Sequence, residues 1–72
     1  MRSALSAYML DAIRRHLAEE GDGHRRRVAR AESVSDLLAL LNPLMDAVLD
    51  AAGPQAAAEF ADGAAAILQR RA

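Results

Sequence analysis

The chain has no cysteine, no tryptophan and no lysine, and a single phenylalanine and a single tyrosine among 72 residues. Lacking cysteine, it can form neither a disulfide nor a thiolate metal site, which suits a reducing compartment. The two lone aromatics, Tyr8 and Phe60, cannot build the stacked platform on which single-stranded nucleic acid is usually held. Net charge is −1, so no global field draws the molecule to nucleic acid or to an anionic membrane. The start of the chain is interrupted by Asp11, Arg14 and Arg15, which does not fit a secretion signal, and a cytoplasmic location is expected. No membrane span is expected either, because the most apolar stretch carries three aspartates and an asparagine.

What the chain does have is alanine, 18 residues of it, inside a hydrophobic fraction of 53%. Alanine favours helix but buries little area. A chain this short has a thin core to begin with, and association is a common remedy. The expected fold is therefore an all-α bundle of three helices, or four if the linker folds, completed by oligomerisation.

The pattern centres on residues 34–52, VSDLLALLNPLMDAVLDAA. At about 100° per residue its large side chains fill roughly half the helix circumference, wider than the stripe of a helix lying on one neighbour. A central helix flanked on two sides is implied. Pro43 would remove a hydrogen bond and crowd the Ala39 carbonyl, but Leu37, Leu41, Met45 and Val48 stay in phase across it. A single helix kinked at Pro43 is favoured over two separate ones. Ser33 and Ser35 compete to cap it, and Ser33 has Asp36 three residues on, a relative of the capping box.

Ahead of this, residues 3–20 form the expected first helix, with Leu5, Met9, Ile13 and Leu17 four apart and Gly21 and Gly23 as its stop. Asp11 is spaced to pair with Arg14 and Arg15. Tyr8 falls at the border of the apolar face, where a ring can bury its body and keep its hydroxyl wet. Residues 21–33 are an arginine-rich linker, and Gly53-Pro54 separates the central helix from the last, residues 54–71. That last helix sets Phe60, Ile67 and Leu68 among small residues, which lets a neighbour come close.

Candidate chemistry is sparse. His16 and His24 lack metal-ligand spacing, and no nucleophile stands beside them, so neither an enzyme nor a cofactor or metal site is expected. Asp46 and Asp50 sit four apart with Asp36 nearly in line; they fit a solvated face, or one that meets a cation. The cluster Arg25, Arg26, Arg27 and Arg30 could contact an anionic partner through phosphates, although acids flank it closely. The expected function is association: an adaptor, regulator or secretion-type chaperone that packs helices, as a homo-oligomer (a dimer first) or with another protein. Leu38, Leu41, Met45, Val48 and Phe60 are its candidate interface, or the core that the interface shares. A nucleic-acid-binding regulator using the arginine segment is the alternative.

Overall fold

The computed structural model describes residues 2–70. Four helices follow one another: α1 (Arg2–His16), α2 (Asp22–Arg30), α3 (Val34–Ala52) and α4 (Pro54–Gln69), with a 3-10 turn at Ala18–Gly21. The all-helical expectation holds, in its four-helix form. Arg71, placed by the sequence in the last helix, lies outside the described residues.

α1 ends four residues before the expected Glu20, at His16. The break falls on Ala18, whose φ of 49° is left-handed. That conformation costs an L-residue with a β-carbon about 1–2 kcal/mol, and alanine gives no sign of it in the sequence. The turn brings Leu17 into the core, where it is buried. Gly21 is not the stop it resembles: its φ is −86°, within reach of any residue. It is needed for space, because a β-carbon there would overlap Ile13 Cγ2 and lie 2.9 Å from Leu17 Cβ. The segment expected as a linker then folds as α2, which buries Val28 and sends its arginines outward.

α3 spans the predicted residues. Ser33 is its cap: its Oγ accepts from the Asp36 amide at 3.1 Å, while Asp36 Oδ2 accepts from the Glu32 amide at 3.1 Å. This is a capping box displaced by one residue. The helix runs unbroken through Pro43. Pro43 and Ala39 are both exposed, so water can reach the carbonyl that proline leaves without a donor. Gly53 closes α3 at φ 94°, where glycine is unpenalised, and Pro54 opens α4 at its first position.

The core is drawn mainly from α1 and α3. Leu5, Met9 and Ile13 meet Leu37 and Leu44, with Val28 and Phe60 closing the two sides. α1 and α3 each touch all the other helices, whereas α2 and α4 do not meet. The central helix of the sequence reading is thus one of two. Val48 and Phe60, expected at an interface or in the core it shares, are buried within the chain's own core (0% and 4% exposed). Val48 sits near the middle of α3's inward arc, and Phe60 is the one large side chain α4 can send inward at that level.

The left-handed Ala18 generates a stability test. Ala18→Gly should raise unfolding free energy by about 0.5–1 kcal/mol, moving the thermal midpoint up by several degrees. The same change at the exposed mid-helix Ala58 should lower it by about 1 kcal/mol. Equal losses at both sites in thermal denaturation would show that Ala18 is ordinary helix.

Candidate functional site

Most of α3's apolar arc is covered, but not all of it. Leu38 and Leu49 are 44% and 43% exposed, the only large hydrophobic side chains so exposed among the described residues. At about 100° per residue, Met45, Leu38, Leu49 and Asn42 fall within about 60° of one another. They form a strip along the flank that faces α4. Beside it runs a groove of about 220 Å³ lined by Leu41, Met45, Ala61, Ala65 and Leu68, with Phe60 at its floor. Four of the five expected residues therefore meet here, Leu38, Leu41 and Met45 at the surface and Phe60 beneath them; only Val48 does not. Leu49, Ala65 and Leu68 were not among them. Small side chains on α4 keep the groove open, since a longer residue at Ala61 or Ala65 would fill it.

The rims are acidic. Asp46 lies about 60° beyond Leu49 around α3, and Asp62 about 60° beyond Ala65 around α4. Both are exposed, as is Asp50 further round. None of the three takes part in an ion pair among the described residues, where carboxylate pairing is confined to Asp11 and Asp22.

On the other side of Phe60 is a polar cleft of about 210 Å³, bordered by Tyr8, Asp11, Arg15, His16 and Glu59. The Tyr8 ring stacks on Phe60 with centroids 5.5 Å apart and planes 13° from parallel. Its hydroxyl donates to the Phe60 carbonyl at 2.9 Å and lies 3.3 Å from the Glu59 carbonyl. The approach is possible only because residue 63 is glycine: a β-carbon there would overlap the Tyr8 hydroxyl and ring. Burial raises the Tyr8 pKa above its ordinary value; Arg15 opposes the shift, and Asp62, Asp11 and Glu59 add to it. Asp11 holds Arg14 and Arg15 at 2.9 Å each, the pairing its spacing implied. Among the described residues no buried side-chain nitrogen or oxygen lacks a partner, and no three His, Asp or Glu side chains gather to hold a metal. The cleft is a joint between helices.

The arginine cluster divides. Arg25 pairs with Asp22 across one turn of α2. Arg26, Arg27 and Arg30 are exposed on one face of about 100° and make no ion pair among the described residues. No helix among the described residues is long and apolar enough to cross a membrane.

Comparison with known proteins adds no family: no protein-family model matches the chain, and no curated protein or solved structure is similar to it. The site must be judged on its own chemistry.

Tyr8 gives a test of the joint. With no lysine or cysteine in the chain, it is the only side chain that titrates near pH 10. The folded state keeps the Tyr8 proton at pH values where the unfolded state has lost it, so the unfolded state binds fewer protons and stability falls as pH rises. Loss should begin near pH 10, the ordinary tyrosine value, and continue through the raised pKa. Tyr8→Phe should cost about 1 kcal/mol at neutral pH through the lost hydroxyl bond, and should flatten this alkaline slope. Denaturant unfolding at stepped pH measures both; an unchanged slope in the variant would place the titration elsewhere.

Proposed function

We propose that this protein is a helix-docking module whose working surface is the α3–α4 groove together with the exposed strip beside it. The observation that supports the reading is the exposure of Leu38 and Leu49 beside an open apolar groove. These two leucines flank the half-buried Leu41 and Met45, while Leu37, Leu44 and Val48 on the same helix are covered. Apolar side chains exposed singly are ordinary, but ones continuous with an apolar groove mark an interaction site. A helix laid in such a groove is read by side chains at three- and four-residue spacing. The occupant is a helix from another molecule, and the module acts by association, as an adaptor, regulator or chaperone of a helical partner, within the cytoplasm.

The test is positional. A photo-reactive side chain at position 38, introduced in cells that make the protein, should join it to a discrete protein, and Leu49→Arg should abolish the adduct. The same group at exposed Glu20 should give none. Both positions labelling alike, or position 38 labelling nothing, would overturn the reading. Leu49→Arg is an exposed change and should leave helical content and thermal midpoint nearly as they were.

The outward arginines of α2 favour a second reading, contact with nucleic-acid phosphates through Arg26, Arg27 and Arg30. Mobility shift at low salt checks it: binding should vanish in the Arg26→Ala, Arg27→Ala, Arg30→Ala triple variant and weaken steeply with salt. An unshifted wild type, or a triple variant that binds equally, removes it.

A further inference from the structure

Resting on the docking reading, we infer the chemistry of the occupant: a cationic amphipathic helix supplied by another protein, and not a second copy of this chain. The charge of the hairpin carries the inference. From Val34 to Gln69 there is no arginine, lysine or histidine, while Asp36, Asp46, Asp50, Glu59 and Asp62 all lie in this stretch. Two of these have work within the fold. Asp36 closes the cap of α3, and Glu59 faces the Tyr8 cleft and accepts from Gln55 at 3.4 Å. Among the described residues the other three form no ion pair, and helix geometry sets Asp46 and Asp62 on opposite rims of the same apolar groove.

A two-fold dimer through this groove would bring the rims of both copies together. An isologous contact uses the same patch on each partner, so aspartates would meet aspartates with no cation between them. Like charges set against each other oppose association and select against that partner. Arg70, the nearest described cation in sequence, follows the end of α4, beyond the rims. Nor can a second copy offer its basic helix. α2 has nine residues, and its buried side chain, Val28, already faces its own core together with Ala31, so no apolar stripe remains for a groove. The occupant must bring both an apolar stripe and flanking cations. From Leu38 to Leu49 the strip spans about 16 Å at 1.5 Å per residue, or three helical turns. Negative rims also turn the groove away from an anionic lipid surface.

Three synthetic helical peptides with one shared leucine stripe, flanked by arginine, glutamine or glutamate, provide the probe. Each is titrated into isotope-labelled full-length protein at neutral pH while backbone amide resonances are followed. The arginine peptide should bind tightest, shift Leu38, Met45, Leu49 and Ala65, and weaken as salt is raised. Asp46→Asn with Asp62→Asn, both exposed changes, should reduce its affinity by about three- to tenfold and leave the glutamine peptide unchanged. Two results overturn the cationic assignment while keeping the groove as a docking site. One is equal binding of the glutamine or glutamate peptide; the other is dimerisation of the protein alone, with those same resonances moving. If no peptide and no second copy moves them, the docking reading itself falls.

Discussion

α4 is held to α1 through a tight joint: Tyr8 of α1 stacks on Phe60 and donates to its carbonyl, over the bare backbone of Gly63. Phe60 is shared property. One side of its ring meets Tyr8, and its side chain also floors the groove beneath Leu41 and Met45. Phe60 therefore links the α1–α4 joint to the α3–α4 groove. Gly63 in mid-helix costs about 1 kcal/mol in propensity against alanine. The site has no room for the methyl group that would recover it. A stacked aromatic pair is worth about 0.5–1.5 kcal/mol beyond the area it buries, enough to offset the glycine and no more.

Charge plays little part in holding these helices together. The ion pairs among the described residues are local, three or four residues apart on exposed helix faces. Pairs of that kind contribute about 0.3–0.5 kcal/mol each. Between helices, the polar links besides Tyr8 are few, such as Arg2 donating to the Ala31 carbonyl at 3.3 Å. Stability comes from Leu5, Met9, Ile13, Leu37 and Leu44 instead. Among the described residues this leaves many charges free of the fold: Arg26, Arg27 and Arg30 point outward on α2 with Glu19, Glu20 and Glu32 around them, while the α3–α4 hairpin carries carboxylates and no cation from Val34 to Gln69.

The elements legible in the sequence were those whose ends are written in side-chain chemistry. α3 shows its start in Ser33 and Asp36 and its end in Gly53-Pro54, and it spans the residues predicted. Its passage through Pro43 could be judged because the apolar phase continues on both sides. The end of α1 could not be read. Its left-handed residue is an alanine, while the nearby glycines that look like a stop serve other purposes: Gly21 yields space to Ile13, and Gly23 stands in the open. The helical nature of α2 was visible only in propensity, because a single buried valine gives no period. For the candidate site, periodicity picked out the apolar arc of α3 but not its coverage. Leu37 and Leu38 are adjacent in sequence and equal in hydropathy; one is fully buried and the other is not, and only the placement of α1 and α4 separates them. Whether Val48 and Phe60 belong to an interface or to the core is likewise written in that placement, which buries both within the chain.

That separation also explains why the groove stays open. To cover Leu38 and Leu49, the fold would need bulky residues on the neighbouring flank of α4, and that flank carries Ala58, Ala61 and Ala65. Leucine at Ala61 or Ala65 would close the groove from within and bury surface worth about 25 cal/mol for each Å². A chain under selection for stability alone has that substitution within easy reach. Alanine at these positions gives up core volume and leaves an apolar trough between two acidic rims. The exposed strip is thus set by α4's small residues as much as by α3's leucines. A partner helix with an apolar stripe and flanking cations would supply both the volume and the charge that these residues leave out.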